Sequence, residues 1–281
     1  MLSEEKVREL RYFANDIRTE CIKMIGRLGV GHVGGSFSIC DLLAVLYGYE
    51  MRYNPQNPRW EGRDKLVISK GHAGPAQYAA LALKGFIPME YLETLNRPHT
   101  KLPSHVDRNL TPGVDMTCGS LGQGISAAAG MALANRIHGR DTYVYSVIGD
   151  GESEEGQVWE AVMFASARKL HHLIVFVDFN GHQLDGYVSE ISGIEEYRDK
   201  FMAFGWNAID VKEGNNVADI VQAIEAAKQE QERPTAIILH TVKGRGWKFA
   251  EENRMKNHNP AVSPEQLTQV LAELQATRGQ I

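Results

Sequence analysis

The sequence contains no apolar run approaching the roughly 20 residues that a membrane-spanning helix needs, so no transmembrane segment is expected. The first residues, Ser3-Glu4-Glu5-Lys6-Val7-Arg8-Glu9, are too charged to read as a secretory leader. Cysteine is scarce. Cys21, Cys40 and Cys118 are odd in number and widely separated, which excludes a disulfide framework and a Cys-rich zinc site. Each is expected to be a small buried hydrophobe, and a reducing cytoplasm is the natural compartment. Positive charge is not in excess either. The formal net charge of −5 argues against a general nucleic-acid or anionic-membrane surface. Internal repeats, low-complexity tracts and a convincing linker are also missing. The expectation is one domain over residues 1–281, long enough to bury a substantial core.

What is present alternates between two periodicities. Residues 4–26 place Val7, Leu10, Ala14, Ile17 and Cys21 near helical spacing, and a glycine-rich run from Gly29 to Gly35, containing His32, then breaks the pattern. Ser38-Ile39-Cys40-Asp41 has the spacing of a capping box opening a helix to about Tyr49. Leu66-Val67-Ile68 reads as a short buried strand running into Ser69-Lys70-Gly71-His72. An irregular, proline-bearing loop from Pro98 to Pro112 holds His99 and His105, and an alanine-rich helix is expected from Ile125 to about His138. Further strands are expected at 143–148, 173–178, 207–211 and 235–241, with helices at 153–170 and from 217 to about 230. Ser263-Pro264-Glu265-Gln266 combines an N-cap, a proline at the first helical position and a capping-box glutamine, so a last helix follows it. Strands alternating with helices imply an α/β fold whose mainly parallel sheet is covered on both faces, with ligands at the carboxyl ends of the strands.

One constellation stands out at those strand ends. Gly149-Asp150-Gly151 lies where a strand stops and a helix starts, and Asn180 ends the next strand, one helix later. Asp-Gly alone is a turn signal. Paired with an amide oxygen on the neighbouring strand, the carboxylate can hold a hard cation, and the glycines let backbone approach a phosphate closely. Together these argue for a metal–diphosphate site. A zinc site built from the histidines is not expected, because no close pair has ligand spacing.

Gly-Asp-Gly followed by a helix and an Asn after a strand resembles the thiamine-diphosphate fingerprint, and further runs are similar to transketolases. These are Gly31-His32, Ser69-Lys70-Gly71-His72-Ala73, Thr111-Pro112-Gly113-Val114-Asp115, Gly119-Ser120-Leu121-Gly122-Gln123-Gly124 and Phe176-Val177-Asp178-Phe179-Asn180, followed by Gln183-Leu184-Asp185-Gly186. The resemblance covers nearly the whole chain in family order. It implies a three-layer thiamine-diphosphate-binding fold, with magnesium (or calcium or manganese in its place) held by Asp150, Asn180 and the His182 carbonyl. His72 and Gly151 would contact the diphosphate. Gly119, Ser120 and Leu121 would lie against the cofactor's ring region. His32, His105 and His258 would face the reacting carbons and the sugar, where histidine's near-neutral titration suits proton handling. Glu155 would sit at a contact between subunits.

The resemblance implies transfer of a two-carbon ketol unit from a ketose to an aldose, phosphorylated or not. It also implies that something is missing. A full transketolase is more than twice this length, and its second domain grips the aminopyrimidine and supplies the activating glutamate. After Pro260 the sequence offers only one more helix. The chain is therefore expected to be the diphosphate-binding subunit of a split transketolase, completed by a C-terminal subunit in an α2β2 assembly. Subunits of 2-oxoacid dehydrogenases and deoxyxylulose-phosphate synthases share Gly-Asp-Gly and Asn, and they are the enzyme alternatives. His99, His138, His171 and His172 are expected to be structural. Thr241 to Trp247 is either a loop over the site or a basic solvated turn.

Overall fold

The computed structural model describes residues 2–193, 196–253 and 256–281. Helix α1 spans Glu4–Leu28 and is capped by Ser3, whose side chain accepts from Lys6 N, and by Gly29 in the left-handed region. Helices α2 (Val33–Phe37) and α3 (Cys40–Val45) follow, the latter widening into a π turn at Leu46–Glu50. The chain then runs through strand β1 (Lys65–Ile68) and helices α4 (Gly74–Leu83) and α5 (Gln123–Ile137). Strand β2 (Val144–Gly149), helix α6 (Gly156–Ala167), strand β3 (Leu173–Phe179) and helices α7 (Val188–Ile191) and α8 (Tyr197–Ala203) come next. Strand β4 (Asn207–Val211), helix α9 (Val217–Gln229), strand β5 (Thr235–His240), helix α10 (Lys248–Glu252) and helix α11 (Pro264–Arg278) complete the order.

The five strands form one all-parallel sheet in the order β1-β2-β3-β5-β4. Every residue of β2 is buried, as are all but the last of β3, so both faces of the sheet are covered. Helix α5 packs on α6 and on β1 to β3, and α8 packs on β4 and β5. Helix α9 also packs on β4 and β5 and joins α3, which carries α1 and, through it, α4 and α11. The fold is the expected three-layer α/β arrangement. All three cysteines are buried and free.

Register positions the functional end. Gly149 pairs with Asp178, Phe179 with His240, and Ile68 with Val147. The carboxyl ends of β1, β2, β3 and β5 therefore meet side by side and deliver Lys70, Asp150, Asn180 and the segment after His240 to one place.

Three local expectations needed correction. The glycine-rich run is not simply a break, because Gly34 and Gly35 lie inside α2. The Ser38 capping box does not form. The N-cap of α3 is Ile39, with no side-chain hydrogen bond. Ser38 Oγ instead donates to Asp178 (2.7 Å), while the Asp41 carboxylate pairs with the buried Arg18 guanidinium. The helix expected from Ser153 opens instead as a 3-10 turn, Gly151–Glu154, and becomes α-helical only at Gly156. By contrast, the capping box at Ser263 and Gln266 forms in full. It supports α11 by about 1 kcal/mol.

Candidate functional site

The strand ends floor a cleft of ≈ 410 Å³. Asp150 begins the turn after β2 and is buried. Its carboxylate accepts three backbone N–H groups: Gly151 at 2.8 Å, Asn180 at 2.9 Å and Gly181 at 2.6 Å. Burial, reinforced by the nearby Asp178 charge, raises its pKa to about 7. Three fixed donors thus set the orientation of a carboxylate that burial disfavours as an anion. A bound cation would relieve that cost.

Asn180 is oriented by its own pair of contacts. Its Nδ2 donates to Asp178 Oδ2 (3.1 Å), and its Oδ1 accepts from His182 N (3.2 Å). The Asp150 carboxylate, Asn180 Oδ1 and the His182 carbonyl form an all-oxygen donor set, the chemistry a hard divalent cation takes when phosphate oxygens and water complete its shell. Among the described residues no group of three or more His, Cys, Asp and Glu forms a metal cluster. That fits a donor set containing a single carboxylate.

Two lysines, neither assigned a role from sequence, complete the electrostatics. Lys70, two residues past the end of β1, is fully buried, with Nζ donating to Gly35 O (2.7 Å) and Asp178 (2.5 Å). Asp178 also accepts from Ser38 and from Thr241 Oγ1 (2.5 Å). Burial pushes the Asp178 carboxyl up, but Lys70 and these donors together hold it below its ordinary value. Lys243 lies in the Thr241–Trp247 segment, which is not a solvated turn: Lys243 is 2% exposed and Trp247 is 0% exposed. Lys243 Nζ donates to the His182 carbonyl at 3.2 Å, and burial lowers its pKa to about 8 despite the attraction of Asp150.

Above this floor four histidines converge. The His32 ring lies 5.5 Å from His72, 5.4 Å from His105 and 5.3 Å from His258, and His72 lies 5.1 Å from His258. They come from four separate segments of the chain. Burial lowers His32 and His258 to about 4, pushes His72 well down with help from Lys70, and lowers His105. The expectation of titration near neutrality therefore shifts. Near pH 7 these rings are neutral, each offering one donor and one acceptor.

Close approach explains two glycines here. A Cβ on Gly71 would lie 2.2 Å from Cys118 O, and one on Gly124 would lie 2.5 Å from Ser69 Oγ. Buried Glu152, also unassigned from sequence, folds back from the 3-10 turn to accept from Ser69 Oγ (2.5 Å), Gly122 N (2.8 Å) and Gly149 N (3.0 Å). It ties the ends of β1 and β2 to the start of α5.

Of the residues singled out from sequence, His32, His72, His105, Gly119, Leu121, Asp150, Gly151, Glu155, Asn180, His182 and His258 all line the cleft. Ser120 does not. It lines the adjoining hollow with His105 and Gly119. Glu155 is exposed at the rim. His99, His138, His171 and His172 lie outside the cleft lining.

The chain is similar to known proteins over nearly its whole length. A family described as "Transketolase, thiamine diphosphate binding domain" matches residues 10–276. The 6-deoxy-6-sulfo-D-fructose transketolase subunit SqwG of a Clostridium species is 52% identical over 98% of both chains. An apulose-4-phosphate transketolase subunit from Phocaeicola vulgatus is 32% identical over 96% of this chain and 95% of its own. Among solved structures, the transketolase of Leishmania mexicana superposes with a TM-score of 0.88 at 31% identity, over 96% of this chain. The chain spans 41% of that longer protein.

Proposed function

Because the chain belongs to the transketolase thiamine-diphosphate-binding family, we propose that it is the diphosphate-binding subunit of a two-chain transketolase. The whole of residues 1–281 would act as one domain holding magnesium and thiamine diphosphate in the cleft. The observation that carries this reading is the Asp150 carboxylate, fixed by three N–H groups beside Asn180 Oδ1 and the His182 carbonyl, beneath the four histidines. When bound, thiamine diphosphate supplies the electron sink for breaking a carbon–carbon bond next to a carbonyl.

The chain's own residues do the rest on this side of the cofactor. Asp150, Asn180 and the His182 carbonyl hold the metal, which neutralises the diphosphate. Gly151, whose N–H is held by Asp150, would let the backbone lie close to the diphosphate through its missing side chain, and the Lys243 ammonium would add a donor to the phosphate oxygens. Gly119 and Leu121 pack against the ring region. His32, His105 and His258, neutral at the working pH, hydrogen-bond the hydroxyls and carbonyl of a bound sugar and pass protons between them without carrying fixed charge. His72 sits deeper, against Gly35 and Lys70, and fits a diphosphate contact.

A C-terminal subunit carrying the pyrimidine-binding half would close the site, in an α2β2 assembly working in the cytoplasm. Both near-full-length relatives above are named as transketolase subunits, which supports this division of labour. The 52% identical relative is named for a sulfonated ketose, so 6-deoxy-6-sulfo-D-fructose is the first donor to try. The test is reconstitution with the partner chain, thiamine diphosphate and magnesium. Ketol transfer from a ketose to an aldose is expected from the pair and not from either chain alone. Decarboxylation of pyruvate without ketol transfer would assign the chain to another thiamine-diphosphate reaction.

A further inference from the structure

A second cavity, ≈ 670 Å³, lies at the opposite end of β1 from Lys70, between residues 56–65 and the loop 108–115. Its size falls within the range of about 300–1,000 Å³ typical of small-molecule sites. Its lining is unusual for a chain of net charge −5: five cationic side chains, Arg59, Arg63, Lys65, Arg108 and Arg140, face only two carboxylates, Glu61 and Asp115. The two carboxylates are already committed. Asp115 is buried and takes both guanidinium nitrogens of Arg63, and Glu61 pairs with Arg140 at 2.5 Å.

That leaves Arg59, Lys65 and Arg108. The Arg59 and Arg108 side chains have no ion-pair or hydrogen-bond partner among the described residues. Half-buried Lys65 reaches only Asn135 Oδ1, at 3.5 Å. Burial lowers the Lys65 pKa, against the attraction of Asp115 and Asp64 and with the repulsion of Arg63 and Arg140. With the exposed Arg59 and Arg108, Lys65 gives the lining three cations that are not paired with a carboxylate, a charge that an anion with several oxygens would balance. An aromatic wall completes the cavity. Trp60, 44% exposed, lies against Gly62, where a Cβ would come within 2.7 Å of the indole ring.

We propose that this cavity binds a phosphate-bearing small molecule, with the oxyanion between Arg59, Lys65 and Arg108 and its organic part against Trp60. The site is separate from the cofactor cleft and does not depend on the function proposed for that cleft. A polyacidic segment of a protein partner is a different occupant and is treated as an opposing outcome.

The experiment is a titration of tryptophan fluorescence with inorganic phosphate, against sodium chloride at matched ionic strength, in the wild type, Trp60→Phe and the double variant Arg59→Ser/Arg108→Ser. Trp206 and Trp247 are fully buried and Trp159 is half-buried, so Trp60 reports on this cavity. The expected result is a saturable change that salt does not reproduce. It should be absent in Trp60→Phe and need at least about tenfold more phosphate in the double variant, as the loss of two charge-assisted contacts predicts. Both altered arginines are free of side-chain bonds, so the fold should survive, and an unchanged melting temperature checks this. Three results would overturn the proposal: no saturable change, the same change in the double variant, or a response to polyglutamate but not to phosphate.

Discussion

Replacing Asp150 with Asn should make the ligand-free protein more stable while removing its response to metal and cofactor. Burial raises the Asp150 pKa from an ordinary 3.8 to about 7, so the folded chain holds the proton more tightly than the unfolded chain. A group shifted in this direction contributes stability that is full below the unfolded value and is lost as pH rises through the folded one. The shift of about three pH units corresponds to about 4 kcal/mol of strain carried at pH 8. Asparagine removes the charge and can still accept from Asn180 N and Gly181 N through one oxygen. It cannot accept from Gly151 N as well, which returns about 1–3 kcal/mol. The net expectation at pH 8 is a gain of about 1–3 kcal/mol, or a rise of about 2–8 °C in the melting midpoint. At pH 4 the wild-type carboxyl is protonated and the gain should vanish or reverse. Magnesium with thiamine diphosphate should stabilise the wild type and leave the variant unmoved. The assay is thermal unfolding by circular dichroism at both pH values, with and without the two ligands. A variant less stable than the wild type at pH 8 without ligands would refute the buried-charge reasoning.

Other outcomes follow from the same geometry. Lys70→Met strands the buried Asp178 carboxylate and should cost about 3–5 kcal/mol by urea unfolding, with partial recovery when Asp178→Asn is added. Lys243→Met removes an ammonium aimed at the floor of the cleft. Calorimetry should show thiamine diphosphate binding weakened about 10–100-fold. In the reconstituted pair, His32→Ala and His258→Ala should each lower kcat by about 10²–10⁴-fold while cofactor affinity stays nearly constant.

The strands and the metal-type donors were legible because each is written locally. The β2 and β3 segments are near-continuous apolar runs, and Asp150 and Asn180 stand at their ends. The two lysines were not legible in the same way, because lysine in a sequence normally reads as solvated. Only the register of β1, β2, β3 and β5 shows that Lys70 and Lys243 point inward. The Ser38 capping box failed for a related reason: the spacing was correct, but Asp178 and Arg18, both distant in sequence, claimed its two side chains. Glu152 precedes the helix expected over 153–170 and carries no local signal of its own. Its role as a tie between strand ends depends on Ser69 and Gly122, which no local pattern connects to it. His105 and His258 lie far from His32 in sequence, yet packing brings both rings to it.

Calorimetric titration of the purified chain with thiamine diphosphate tests the metal–diphosphate clamp most directly. Binding at one site per chain is expected with magnesium present. It should be lost on chelation and in Asp150→Ala, and thiamine lacking the diphosphate should give none. Equal affinity for thiamine diphosphate in wild type and Asp150→Ala, or binding indifferent to chelation, would contradict it.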